Sequence, residues 1–287
     1  MKQSKSWMGR GAVFGARSTG FSLVELMIAM VLGLLVMGAA FAVFMSNQNT
    51  YRANEGLNRI QEAARTAFEL MSRDIRAAGG SACSNLAFME TSDGNSVSLD
   101  RTPVFGNANT MTAVSGSELA FAAEAVPANQ SITEITIAEG ELDAASDVFN
   151  VGDSLVLCDA HKTFVTTAQT ISGRKITFTP AARFHYPVTV MLGRYRSARW
   201  FVEPNDRGGS SLYVSRAAGA REEVVEGVSN IAFSYLQSDG TYTAAPANWG
   251  NIAAVRTVLT LQVQNAVDGQ PLTRTASSVV NLRARAL

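Results

Sequence analysis

The sequence predicts an α+β protein: one long N-terminal α-helix packed against a β-rich antiparallel-sheet head. Three observations carry the prediction. Residues Phe21 to Met45 are almost wholly apolar, a polar stretch with helical period follows as far as Ala78, and beyond Gly80 the chain breaks into short alternating or β-branched runs. The division expected is a leader over 1–20, a helix over 21–80 whose first part (21–45) spans a membrane, and a head over 81–287.

The leader, Met1 to Thr19, holds Lys2, Lys5, Arg10 and Arg17 and no acid. By the positive-inside tendency that end stays in the cytoplasm and the head is exported to the periplasm. About 20 apolar residues suffice to cross a bilayer as a helix. Glu25 interrupts the apolar run near its start. A carboxylate inside a membrane segment costs roughly 2.5–3.5 kcal/mol on insertion scales, so its presence calls for a functional reason. The chain has 287 residues with 24 basic and 24 acidic side chains. Without the four leader cations the balance is 20 against 24, or −4, which argues against a general nucleic-acid footprint. Arg194, Arg196 and Arg199 could form a local basic patch, but solvated strand positions explain them more simply.

A cleaved secretory signal has some support, since Ala40-Phe41-Ala42 fits the small-x-small cleavage pattern, yet the apolar run far exceeds the usual 7–15 residues. A plain signal anchor explains length and orientation but not Glu25. Gly20-Phe21-Ser22-Leu23-Val24-Glu25 closely resembles the processing site of type IV prepilins: a basic leader ending in Gly, then Phe, then Glu at the fifth position after the cut. The resemblance implies cleavage between Gly20 and Phe21 and N-methylation of Phe21, both by a prepilin peptidase. Cleavage creates a cationic amine at Phe21, and the helix dipole favours Glu25 in the first turns. Between parallel helices, Glu25 of one chain can reach the Phe21 amine of the next, so that both are buried together. Glu25 then serves as a register device for lateral assembly.

From Ser46 the chain turns polar, with Leu57, Ile60, Ala64, Ala67, Met71, Ile75 and Ala78 forming an apolar stripe at three- and four-residue steps. Glu62/Arg65, Arg65/Glu69 and Glu69/Arg73 have ion-pair spacing. Gly79-Gly80 is the expected stop, since glycine takes the left-handed cap. Phe21 to Ala78 would run about 87 Å as a straight helix. Major pilins often carry a proline about 22 residues into the mature chain; here that position is Ala42.

Residues 81–117 are rich in Ser, Asn, Thr and Gly and predict a long loop. Strands are expected at Glu118–Val126, Ile132–Ala138, Ser154–Cys158, Thr163–Thr170, Lys175–Thr179, Val188–Val202, Ser211–Ser215, Asn230–Gln237, Val255–Asn265 and Ser277–Leu282, with turns at Ser172-Gly173-Arg174, Gly208-Gly209 and Asp239-Gly240. An antiparallel sheet laid on the helix is the economical fold. In an exported chain, Cys83 and Cys158 suggest one intramolecular disulfide, the alternative being two unrelated buried thiols.

A second resemblance lies in the C-terminal half. Arg194-Tyr195-Arg196 leading to Trp200-Phe201-Val202, Ser211-Leu212-Tyr213-Val214-Ser215-Arg216, Val225-Glu226-Gly227-Val228-Ser229-Asn230-Ile231 and Ile252-Ala253-Ala254-Val255-Arg256-Thr257-Val258 resemble the head of PilW-type minor pilins. The ending Val280-Asn281-Leu282-Arg283-Ala284-Arg285 does so too. The resemblance implies a non-enzymatic minor pilin of a type IV pilus, taking part in initiation of assembly, in a tip complex, and in twitching motility and surface attachment. Its partners would be the prepilin peptidase, other minor pilins, the major pilin and the inner membrane. The head motifs also fit the type II secretion pseudopilin GspJ. A rival of another class is a membrane-anchored periplasmic binding module or enzyme.

Chemistry-bearing patterns are sparse. His161 and His185 have no metal-ligand spacing to the cysteines. No Gly-x-Ser-x-Gly elbow or phosphate-binding loop occurs. Glu222, Glu223 and Glu226 are expected on a solvated face. Asp93-Gly94-Asn95 with Asp100 lacks the full calcium-loop pattern. Tyr242 and Trp249, near Pro246, are expected to cap the sheet. The sequence thus predicts no catalytic residue, cofactor or metal.

Overall fold

The computed structural model describes residues 20, 22–83, 88–89, 102–126, 132–160, 162–182, 190–217, 219–267 and 270–283. The chain divides into two units, Met1–Tyr51 and Arg52–Leu287. A single helix, α1, Leu23–Ala77, runs from the first into the second, helical through Ala42. In the first unit the large apolar side chains from Leu23 to Met45 are exposed. In the second, the helix buries Gly56, Ile60, Ala64, Ala67, Met71, Ser72, Asp74 and Ile75 along one face, while Leu57 is half-buried. The stripe thus appears where its period puts it. Glu55 and Arg59, a pair the spacing argument passed over, form an ion pair one turn apart at 2.5 Å.

The helix stops where glycine permits it. Gly79 takes φ +78°, a left-handed conformation that costs glycine nothing. Its N–H donates to the Val114 carbonyl at 2.9 Å, and the Gly116 N–H donates to the Gly80 carbonyl at 2.8 Å. The helix end is thereby tied to a strand of the head.

The head contains β1 (Phe88–Met89), β2 (Val104–Gly106), β3 (Met111–Ala123), β4 (Ile132–Thr136), β5 (Ser154–Cys158), β6 (Lys162–Ser172), β7 (Lys175–Ala182), β8 (Val190–Pro204), β9 (Ser210–Arg216), β10 (Arg221–Glu226), β11 (Val228–Leu236), β12 (Tyr242–Thr243), β13 (Ala254–Val267) and β14 (Gln270–Asn281). Residues 81–117 are not one long loop: β2 and the first half of β3 lie there. The error has a physical source. Small Ser, Thr and Gly residues blur the alternation that marks a strand, but Val104, Met111, Ala113 and Val114 bury their side chains beside the helix or the sheet.

The strands form two sheets. One has the order β10-β9-β8-β5-β6-β7-β4, with β3 on the other side of β8 and β2 beside β3; the second has the order β12-β11-β13-β14. In the larger sheet β8 is shared. Its N-terminal part pairs with β5 (Leu157 opposite Leu192) and its C-terminal part with β9 (Trp200 opposite Val214), while β3 runs along its other edge. Past β4, Ile137 bridges Ala123 at the end of β3, and the Glu124 N–H donates to the Thr136 carbonyl at 2.9 Å. The ring β3-β8-β5-β6-β7-β4 is thereby closed, every pairing in it antiparallel. The result is a six-stranded barrel.

Two cores follow. Ile135, Ile137, Phe149, Leu155, Leu157, Phe164, Ile176, Phe178 and Leu192 fill the barrel. Ile60, Ala64, Ala67, Met71 and Ile75 of the helix pack with Val104, Met111, Trp200, Val214, Phe233, Val255 and Leu259 in the other core. Fully burying one such large side chain is worth about 1.5–3 kcal/mol, so this face is what joins Arg52–Ala77 to the sheets.

Candidate functional site

The processing motif lies at the start of α1. Gly20 is exposed and outside the helix, with no heavy atom within 4 Å of where a Cβ would stand. Phe21, on the other side of the bond to be cut, lies outside the described residues. The Ser22 carbonyl accepts the first helical hydrogen bond, from the Leu26 N–H at 3.1 Å. Glu25 therefore falls in the first turn, among amide N–H groups that lack an intrahelical partner and favour negative charge. Glu25 is exposed, as are Leu23, Val24, Leu26, Met27 and Ile28 around it. An apolar helix exposed on every side is built for lipid or for other helices.

A second polar centre, missed in the sequence, fastens the helix to the head. Asp74 is only 8% exposed and sits on the packed face of α1. It accepts a hydrogen bond from Trp200 Nε1 at 3.0 Å. Arg216 lies 3.6 Å from it and Arg196 4.0 Å. A buried carboxylate is tolerated only when paired and hydrogen-bonded, and here an indole N–H and two guanidinium groups meet that need. The signal available was a lone acid inside the apolar stripe, between Met71 and Ile75.

The structure brings Cys83 and Cys158 together as a disulfide with Cα atoms 5.9 Å apart. It joins the segment after the helix to β5, beside Val114, Val156, Val165, Met191 and Tyr195. Burial there pushes the Tyr195 phenol up to about 12.

The remaining candidates resolve into structural contacts. Arg194 donates to the Val148 carbonyl and lies 3.4 Å from Asp153, Arg196 faces Asp74, and Arg199 stacks over Phe201. The three arginines therefore do not converge on one surface ligand. Glu222, Glu223 and Glu226 belong to β10 and are answered by cations: Arg207 bonds Glu223 and Glu226, and Arg216 lies 4.0 Å from Glu222. The Ser211 hydroxyl, donating at 2.6 Å, holds the Glu223 carboxyl below its ordinary range, with Arg207 adding to the effect. Trp249 stands edge-on to Tyr235 at 4.8 Å, and Arg256 covers the Tyr242 ring at 3.7 Å. His161, His185, Asp93, Asn95 and Asp100 lie outside the described residues. Among those described, no three His, Cys, Asp or Glu side chains gather as a metal site.

Residues 15–41 match the family model of the prokaryotic N-terminal methylation motif. No curated protein and no solved structure matches the chain. The matched segment contains Gly20, Phe21 and Glu25. This methylation motif, on an apolar helix followed by a β-rich antiparallel head, supports a type IV pilin-like or pseudopilin-like protein and implies processing by a prepilin peptidase.

Proposed function

We propose that the chain is a non-enzymatic minor pilin of a type IV pilus. It waits in the inner membrane as a single-pass protein with a periplasmic head. Once cut after Gly20 and methylated at Phe21, it joins other minor pilins and the major pilin through α1, helping to initiate the pilus and remaining near its tip. In that role it supports twitching motility and surface attachment. The observation that carries the reading is Glu25 in the first turn of an exposed apolar helix, directly behind an accessible Gly20 and inside the matched motif. The sequence resemblance of the head to PilW-type pilins supports the minor-pilin role.

The test is the mature N-terminus. Mass spectrometry of the membrane-extracted protein is expected to find methylated Phe21 as residue one. A start at Val43, after Ala42, would mean an ordinary secretory signal and would sink the reading. Deletion then distinguishes pilus from secretion apparatus: loss of surface pili with secretion intact is the expected phenotype, and the reverse would favour the pseudopilin.

A further inference from the structure

The outer strand of a sheet leaves its outward N–H and C=O groups unpaired, and proteins normally disable such edges by charge, bulges, shortness, cover or closure. Among the described residues this head treats its edges unequally. The β4 edge is closed onto β3. The β10 edge carries Arg221, Glu222, Glu223 and Glu226 and a bulge between Glu223 and Val225. The strands β1, β2 and β12 have two or three residues each. The free side of β11 is covered by the turn between β2 and β3: the Phe233 N–H donates to the Ala108 carbonyl at 2.7 Å, and Asn109 Nδ2 donates to the Ile231 carbonyl at 3.3 Å.

The exception is β14. It has 12 residues and pairs with β13 without a bulge from Ala254 opposite Asn281 to Val263 opposite Leu272. Pro271 guards only its start, Arg274 is its one charge, and Thr275 to Asn281 is neutral. Leu272, Ala276 and Val280 pack toward the helix-facing core and hold the strand in place, while Thr275, Ser277 and Val279 are exposed.

We propose that β14 is a strand-addition site which takes the edge strand of a neighbouring, different pilin-like subunit whose helix runs parallel to α1. The inference rests on the reading of the chain as an assembly subunit. Main-chain hydrogen bonds supply the affinity in such an addition, and alternate side chains the selectivity; the neutral Thr, Ser and Val positions call for a neutral, β-branched partner strand. A second copy does not fit. Antiparallel β14–β14 pairing needs a two-fold axis perpendicular to the sheet, which would reverse the helix segment packed on that sheet, whereas two copies anchored alike leave the membrane in the same direction. Parallel copies would bring β14 to the opposite side of the same sheet, and there β12 is two residues long and β11 is covered.

The test uses the full-length chain in its native membrane. Because Cys83 and Cys158 are bonded to each other, Ser277→Cys introduces a unique thiol for a short thiol-directed cross-linker. The expected result is an adduct whose partner peptide maps to a strand in the head of another chain with a prepilin-type leader. Adding Thr275→Lys should abolish that adduct, while Thr260→Lys, opposite it on β13 and on the same face, should leave it. Thr273→Lys substitutes if Thr275→Lys lowers the thermal midpoint. No adduct, an adduct confined to partner helices, an adduct that survives the edge lysine, or a disulfide between two copies carrying Ser277→Cys would each overturn the proposal. The mature N-terminus is read in the same sample. Methylated Phe21 with a failed cross-link overturns the edge proposal alone, and a start at Val43 overturns the functional reading beneath it.

Discussion

Asp74 shows what one side chain does in this fold. Removing it leaves Trp200 Nε1 without its acceptor and Arg196 and Arg216 without the carboxylate between them. Hydrogen bonds to a charged group are worth about 1.5–3 kcal/mol net, so Asp74→Ala should destabilise the protein by about that amount in denaturant melts of the detergent-solubilised chain. Trp200→Phe, which keeps most of the ring, should cost less. The residue was hard to recognise because every partner lies far along the chain: a polar side chain in a helix is ordinarily assigned to water, and only the tertiary fold supplies an indole and two guanidiniums. Glu223 gives a pH signature. Its carboxyl is held below the ordinary range by Ser211 and then Arg207, so the folded state favours the ionised form. The stabilisation is present above the unfolded value of about 4.3 and is lost as pH falls through the lower folded value. Thermal midpoints recorded from pH 6 to pH 3 should therefore fall less steeply for Glu223→Gln than for the parent.

At the scale of elements, periodicity was the most informative signal. The apolar stripe, the Gly79 stop, β5 at Ser154–Cys158 and the Gly173 turn between β6 and β7 all lie where local pattern puts them, because each depends on a residue's own face or backbone freedom. β10 escaped notice because Arg221, Glu222 and Glu223 look like solvated positions; its strand conformation comes from pairing with β9 and from charge partners on β8, on β9 and in the turn between them. The barrel was equally hidden, since closure depends on Ala123 meeting Ile137 rather than on any pattern within either strand. The Cys83–Cys158 bond fastens the segment after the helix to the barrel wall, across a sequence separation of 75. A loop of that size restricts the unfolded chain by roughly 4 kcal/mol in the entropic account. Denaturation with and without reductant should show a loss up to about that size, and the double variant Cys83→Ser/Cys158→Ser should match the reduced protein.

For the whole molecule, the proposed function makes Glu25 matter only in company. Glu25→Ala should leave the head's thermal midpoint unchanged, because Glu25 lies outside the Arg52–Leu287 unit. It should greatly reduce recovery of the protein in sheared pilus fractions, measured by immunoblot against the membrane pool. Equal incorporation of the variant would remove the register role. The same chain order has a consequence in time. Synthesis delivers the helix first, and N-terminal parts begin folding before the rest has been made. The indole that satisfies Asp74 emerges 126 residues after it, and the β8 strand bearing it also completes the barrel. For much of that interval only β2 and β3 are present to cover the helix's packing stripe. Phe233, Val255 and Leu259, which also cover the stripe, follow later still, so the newborn chain is most vulnerable to proteases until β13 has appeared.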